Sequence, residues 1–96
     1  MKVFVETLGL PTLAAVLGKK TEIELPDGAS LEDLVGHIVS RFGPRAREGL
    51  LDREGKLDLT IQILLNEEGF VSRGELPARR LREGDRVRLM LLVGGG

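Results

Sequence analysis

The first quarter of the chain has the residue pattern of two β-strands. Residues 2–8 are rich in Val and Phe and contain no breaker, which predicts a strand that ends before Gly9 and Pro11. Residues 20–25 alternate polar and apolar side chains, as a half-buried strand does. The apolar stretch 12–17 between them is predicted to be a structured loop or a single helical turn. The chain therefore opens with a predicted hairpin.

The clearest helical pattern follows a turn that contains Pro26, Asp27 and Gly28. Ser30 is a good N-cap, and Asp33 stands at the third helical position. Gly43-Pro44 predicts the end of the helix. Apolar side chains at spacings of three and four form one stripe that must face a core, and they are Leu31, Leu34, Val35, Ile38, Val39 and Phe42.

The second half of the chain alternates charged segments with apolar strands. A short second helix is expected around residues 45–51, and a turn follows it. The predicted strands are 59–65, a short one at Phe70-Val71 and the last at 86–93. One helix covering one face of a mixed sheet buries these elements. The fold class is therefore α+β, with a single domain over residues 1–93 and a flexible glycine tail over 94–96.

Composition excludes several classes of function. The formal charge is −1, and Phe4, Phe42 and Phe70 are the only aromatic residues, so nucleic-acid binding is not expected. The chain has no cysteine, which excludes disulfides and thiolate chemistry. Glu6 interrupts the apolar N-terminal stretch, and no apolar run is long enough to span a bilayer. We therefore expect a cytoplasmic protein that does not bind a membrane.

Three features together carry a family resemblance. The hairpin and helix precede a strand that ends in Leu65-Asn66. The segment Leu81-Arg82-Glu83-Gly84-Asp85-Arg86-Val87 then leads into the last strand, and the sequence closes with Gly94-Gly95-Gly96. This combination resembles the ubiquitin-like sulfur-carrier family that includes MoaD and ThiS. The resemblance implies a β-grasp fold, with a mixed sheet packed on one main helix.

The resemblance also implies a reaction at the C-terminus. An E1-like activating enzyme, similar to MoeB or ThiF, uses ATP to adenylate the terminal carboxylate, which is then converted to a thiocarboxylate. Here that group is the carboxylate of Gly96, with Gly94 and Gly95 as the tail. Glycine suits this role because a backbone without side chains can enter a narrow site on another protein. The chain is then a non-catalytic co-substrate, with no bound cofactor and no metal.

The sulfur acceptor is open at this level. The charged segment after the helix is similar to the longer MoaD-type chains, which implies the small subunit of molybdopterin synthase and a MoaE-like large subunit as partner. Val93 followed by three glycines is also seen in ThiS-like tails, which serve thiamine thiazole synthesis. Two other possibilities are a ubiquitin-like modifier conjugated through Gly96 and an interaction module whose tail is inert.

Alternation along the strands predicts a partner surface. If Val87 and Leu89 point inward, Met90 and Leu92 point outward. By the same alternation Phe4 and Leu64 join them, and the predicted partner-binding residues are Phe4, Leu64, Met90, Leu92 and Val93. The other interpretation is ordinary scatter of apolar surface residues, or self-association.

The single histidine and an arginine-rich segment each have a structural interpretation as well as a functional one. His37 is the only histidine, so a metal site would need carboxylates, and a surface histidine is the expected reading. Residues 73–88 contain six arginines interrupted by three acidic residues. They form either a basic patch for an acidic partner or a solvated, salt-bridged surface.

Overall fold

The computed structural model describes residues 1–91, which form a five-stranded mixed sheet with helices. The elements are β1 (Lys2–Leu8), α1 (Pro11–Leu17), β2 (Lys20–Glu24), α2 (Leu31–Phe42), α3 (Pro44–Leu50), β3 (Ile61–Leu65), β4 (Gly69–Val71), a 3-10 helix (Arg73–Glu75) and β5 (Arg86–Leu91). The strand order is β2-β1-β5-β3-β4. β5 runs parallel to β1 and antiparallel to β3. This arrangement confirms the predicted α+β class.

The start of α2 is held by the predicted cap. The Ser30 hydroxyl accepts a hydrogen bond from the Asp33 N–H at 3.1 Å, and the Asp33 carboxylate accepts one from the Ser30 N–H at 2.9 Å. Together they satisfy two backbone donors at the helix end. The apolar stripe packs on the sheet, and the largest side chains with almost no exposure include Leu31, Leu34 and Ile38 of α2 with Val3, Val5, Ile23, Ile63, Val87 and Leu89 of the strands.

The segment after β1 is more regular than the sequence suggested. The stretch predicted as a loop or one turn is the seven-residue helix α1, with Pro11 at its start and Leu13 and Leu17 buried. A β-carbon on Gly49 of α3 would lie 3.5 Å from the Leu13 backbone nitrogen. The two short helices therefore pack at close range, and this tertiary contact stabilises helices that are too short to form alone.

The third strand is shorter than predicted. The Asp58 carboxylate accepts hydrogen bonds from the Thr60 N–H at 2.8 Å and from the Thr60 hydroxyl at 2.6 Å. This Asx-type turn occupies residues 58–60, so β3 starts at Ile61, and Leu59 is 70% exposed. Within residues 1–91, no helix has the length and apolarity that a membrane span requires.

Candidate functional site

The last described strand, β5, occupies the centre of the sheet. It is paired with β1 on one side and β3 on the other, and its described part ends at Leu91. The predicted tail residues Leu92, Val93, Gly94, Gly95 and Gly96 lie outside the described residues. A strand paired on both edges is held firmly, so β5 is a rigid base for the segment that follows it in sequence.

The start of β5 is held by the motif that carries the family resemblance. Gly84 adopts a φ of 82°, which favours glycine, and its N–H bonds the Lys2 carbonyl at 2.7 Å. The Asp85 carboxylate accepts hydrogen bonds from the Arg82 N–H at 2.7 Å and from the Asn66 amide at 2.9 Å. The motif therefore acts through structure: it ties the start of β5 to β1 and to the β3–β4 turn.

The outward face of the sheet carries three of the predicted partner-binding residues. Phe4 is 41% exposed, and Leu64 and Met90 are half-buried. Leu64 neighbours Arg88, whereas Met90 lies between Leu8 and Gln62. Phe4 neighbours Arg86, so it is set apart from the other two. The three residues share a face, and their part in binding a partner stays a prediction.

Two exposed apolar residues on this face escaped the sequence analysis. Leu8, which neighbours Met90, is 55% exposed, and Phe70, which neighbours Leu64, is 57% exposed. Leu8 could have been predicted, because Phe4, Glu6 and Leu8 are alternate residues of β1 and therefore share one face. Phe70 could be placed only with the register between β3 and β4. Large exposed apolar side chains that share one face are typical of interaction surfaces, so both residues extend the candidate surface.

A charged cluster interrupts the apolar side chains of this face. The Arg88 Nε donates to a Glu6 carboxylate oxygen at 3.3 Å, and its Nη2 donates to a Glu67 carboxylate oxygen at 3.3 Å. Arg88 is 33% exposed, Glu6 22% and Glu67 64%. Arg86 lines the same cleft, so these two acidic and two basic side chains together carry no net charge. The face is therefore mixed, with charged side chains among the predicted partner-binding residues.

Three other arginines of the 73–88 segment make separate contacts. Arg73 pairs with Asp52 at 3.7 Å, and Arg79 pairs with Glu75 at 3.7 Å. The Arg80 guanidinium donates to the Gly28 carbonyl at 2.7 Å, which tethers the loop before α2. These contacts favour the salt-bridged surface over a patch for an acidic partner.

Metal ligation and acid–base chemistry can be assessed for residues 1–91. Within residues 1–91 no three His, Asp or Glu side chains are grouped as metal ligands, and His37 lies half-buried on α2. The Ser30 N–H and hydroxyl hold the pKa of Asp33 below its ordinary value of 3.8. The Thr60 hydroxyl and N–H do the same for the pKa of Asp58. Neither carboxyl has the raised pKa that a general acid requires at neutral pH.

Comparison with known proteins was made for the sequence and for the fold. The family model described as "ThiS family" matches residues 11–96. No curated protein sequence matches the chain. The solved structure of SAMP1 from Haloferax volcanii superposes with a TM-score of 0.78 at 21% identity, covering 100% of both chains. At that identity the likeness establishes the ubiquitin-like β-grasp fold.

Two further structures are similar in both fold and sequence. A putative molybdopterin converting factor, subunit 1, from Pyrococcus furiosus has a TM-score of 0.70 and 27% identity, with 97% of this chain and 99% of that chain covered. A chain of the BexX/CysO complex from Amycolatopsis orientalis has a TM-score of 0.67 and 26% identity, with 98% and 99% covered. Each match spans nearly the whole of both chains, so the likeness is to complete small domains.

Proposed function

The chain belongs to the ThiS family of ubiquitin-like sulfur carriers and modifiers, and from this premise we propose that it carries sulfur as a thiocarboxylate on Gly96. The observation that supports the proposal most strongly is the extent of the family match, which runs through the terminal glycines. The described fold is compatible with this proposal, because the central strand β5 is the last described element before the terminal glycines in the sequence.

The proposed reaction has two steps, both on a partner enzyme. A Gly96 carboxylate oxygen attacks the α-phosphate of ATP, and pyrophosphate leaves. A sulfur nucleophile such as hydrosulfide then attacks the resulting acyl adenylate, and AMP leaves, so that the product is a thiocarboxylate. The chain contributes its terminus and a docking surface, and an E1-like enzyme of the MoeB or ThiF type contributes the phosphate chemistry. The ATP requirement is consistent with a cytoplasmic protein.

The docking surface in this proposal is the outward sheet face. Phe4, Leu64 and Met90 were predicted for this role, and Leu8 and Phe70 extend the surface. The likeness to a chain of the BexX/CysO complex shows that a similar domain is found in a complex with another protein. We propose that the activating enzyme covers this face while the glycine tail enters its active site.

The sulfur acceptor that we propose is the precursor of molybdopterin. The support is the 27% identity to a putative molybdopterin converting factor, subunit 1, over nearly the whole of both chains. The chain would then be the small subunit of the synthase, and thiocarboxylated Gly96 would enter a MoaE-like large subunit. Thiazole synthesis uses the same thiocarboxylate with a different acceptor enzyme, so reconstitution with each acceptor separates the two pathways.

The test is the intact mass of the chain after incubation with ATP, an activating enzyme and sulfide. We expect a mass increase equal to the replacement of one oxygen by sulfur, located at the C-terminal residue by fragmentation. A variant without Gly96 keeps residues 1–91 unchanged and should show no increase. An unchanged mass with an enzyme proven active on its own carrier would overturn the proposal. Attachment of the chain to lysines of other proteins would instead identify a modifier.

A further inference from the structure

The ladder between β3 and β5 is shorter than the strand pattern on either side of it. The register pairs Leu65 with Val87, and its last pair is Ile61 with Leu91. The sequence pattern, however, predicts strands over 59–65 and 86–93. The same register, if continued, would pair residue 60 with residue 92 and residue 59 with residue 93. The two predicted strands would then end together, so strand propensity does not explain why the ladder ends at Ile61.

Alternation along the ladder identifies the next backbone groups that would bond. The Asn66 N–H donates to the Arg86 carbonyl at 2.8 Å, which shows that even-numbered residues of the two segments direct their hydrogen-bonding groups at each other. In an antiparallel ladder, every second pair of opposite residues exchanges two hydrogen bonds. Thr60 and Leu92 would form the next such pair, and Leu92 lies outside the described residues.

The Asp58 side chain binds the backbone donor that this pair would need. Its carboxylate accepts hydrogen bonds from the Thr60 N–H at 2.8 Å and from the Thr60 hydroxyl at 2.6 Å. The Asp58 carbonyl accepts a further bond from the Ile61 N–H at 3.0 Å, which closes the turn. The hydroxyl and N–H of Thr60 hold the pKa of Asp58 below 3.8, so the acceptor is ionised at neutral pH. An ionised acceptor forms a stronger hydrogen bond than a neutral carbonyl does.

The turn prevents a pairing that the apolar side chains favour. Leu59 is exposed to solvent in the turn, whereas continued pairing would place it opposite Val93. Apolar side chains that lie opposite each other on neighbouring strands stabilise a sheet. Local hydrogen bonds from a side chain such as Asp58 compete with the ladder for the same backbone groups. The turn therefore determines where the ladder ends.

We propose that Asp58 is a positioning residue, which ends the β3–β5 ladder at Leu91 and keeps residues 92–96 out of it, so that they can enter the activating enzyme. The inference rests on the proposed function, in which the Gly96 carboxylate must reach ATP inside that enzyme. Five residues follow Leu91, and an extended chain spans at most about 3.3–3.6 Å per residue. Each residue added to the ladder would shorten the reach of Gly96 by about that length, and the added hydrogen bonds would have to break first.

The experiment compares three variants by hydrogen exchange of the chain alone and by ATP–pyrophosphate exchange with the activating enzyme. Asp58→Ala removes the acceptor and frees the Thr60 N–H. Asp58→Asn is the conservative variant, because an asparagine side chain forms the same type of turn without the charge. Asp52→Ala is the matched control. The Asp52 carboxylate accepts hydrogen bonds from the Glu54 N–H at 2.8 Å and the Lys56 N–H at 3.0 Å, in a separate turn outside the β3–β5 ladder.

Asp58→Ala is expected to extend the ladder by the pair of Thr60 and Leu92. The Leu92 amide should exchange about tenfold more slowly than in the wild type, because the new hydrogen bond protects it. In the enzyme assay kcat should fall about three- to tenfold, in proportion to the fraction of chains whose terminus can react. KM should be unchanged, because the outward sheet face is the same. Asp58→Asn should match the wild type in all three quantities, and Asp52→Ala should lower Tm without changing them.

Four results would overturn the inference. Unchanged exchange of the Leu92 amide in Asp58→Ala would show that the turn does not end the ladder. An unchanged kcat despite slower exchange would show that the added pair does not hinder the terminus. An equal loss of kcat in Asp58→Asn would assign the effect to the charge, and an equal loss in Asp52→Ala would assign it to general destabilisation.

Failure of the proposed function gives a different result. The wild-type chain would then support no pyrophosphate exchange with an enzyme that is active on its own carrier. In that case the role of Asp58 in the reaction fails as well, whereas hydrogen exchange at Leu92 still decides whether Asp58 ends the ladder.

Discussion

Gly9 lies directly against Leu91: a β-carbon added to Gly9 would be 3.4 Å from the β-carbon of Leu91. Gly9 also has a φ of 71°, so both its conformation and its space favour glycine. The contact joins the end of β1 to the last described residue of β5. It therefore lies at the point where the chain continues toward the proposed reactive terminus.

Gly9→Val is expected to destabilise the protein more than Gly28→Val. Both glycines have positive φ, and nothing lies within 4 Å of the position of a β-carbon on Gly28. Each change incurs the backbone cost of about 1–2 kcal/mol, and the overpacking against Leu91 should add roughly 1 kcal/mol or more at Gly9. Urea unfolding of both variants measures the difference. Equal decreases in the free energy of unfolding would show that the side chain of Leu91 moves aside without destabilising the protein.

Phe70→Ala should impair docking while leaving the fold intact. Phe70 is 57% exposed, so the free energy of unfolding should change by no more than about 0.5 kcal/mol. If the outward face docks the activating enzyme, KM should increase about tenfold, as for an interface aromatic residue. Leu59→Ala is the control, because Leu59 is 70% exposed in a turn outside the sheet. Equal KM values for the two variants would place docking elsewhere.

Ser30→Ala should cost about 1 kcal/mol of stability, because the Asp33 N–H loses its acceptor at the start of α2. The matched change is Ser40→Ala, at an exposed position in the last turn of the same helix. Alanine is the better helix former there, so that variant should be neutral or slightly more stable. Thermal or urea unfolding distinguishes them, and a Ser30→Ala protein as stable as the wild type would contradict the role of the cap.

The capping carboxylate should make stability depend on acid pH. Hydrogen bonds from Ser30 keep the pKa of Asp33 in the folded state below the ordinary value of 3.8, so the folded protein binds a proton less readily than the unfolded chain. The contribution is therefore complete above pH 3.8 and is lost as the pH falls through the lower, folded pKa.

Asp33→Asn is the variant that measures this dependence. It keeps an acceptor for the Ser30 N–H but cannot titrate. The urea midpoint of the wild type should fall more steeply than that of Asp33→Asn as the pH drops below 3.8. Parallel curves would show that Asp33 does not contribute to the acid sensitivity.

Asp85→Ala tests the structural interpretation of the motif before β5. The variant removes the acceptor for both the Arg82 N–H and the Asn66 amide, and the loss should be about 1–3 kcal/mol. Glu83→Ala removes one exposed hydrogen bond, from the Lys2 N–H, and should cost less. Equal stability of the two variants would contradict the role given to Asp85. Hydrogen exchange should localise the effect to the start of β5 and the β3–β4 turn.

Several elements could be predicted because their signals are local. The cap of α2 and the stripe that follows it lie within a dozen neighbouring residues, and β1 and β2 are defined by their own alternation. The start of β3 was predicted wrongly, and α1 was predicted only as a loop or a single helical turn. The Asx turn at Asp58 competes with strand extension, and α1 is stabilised by packing on α3, so neither boundary follows from periodicity alone.

The sequence by itself determined the fold class, the capped helix, the turn at Gly84-Asp85 and the family. Each of these depends either on residues that are close together in the chain or on a sequence motif. Only the tertiary structure decided what shares the outward face. Glu6 and Arg88 are 82 positions apart, and strand register alone brings them together. The β3–β4 register places Phe70 beside Leu64, and the β3–β5 register brings Glu67 within reach of Arg88. The pairings of β5 with β1 and β3 depend on hydrogen bonds between segments far apart in the chain, which leave no local pattern in the sequence.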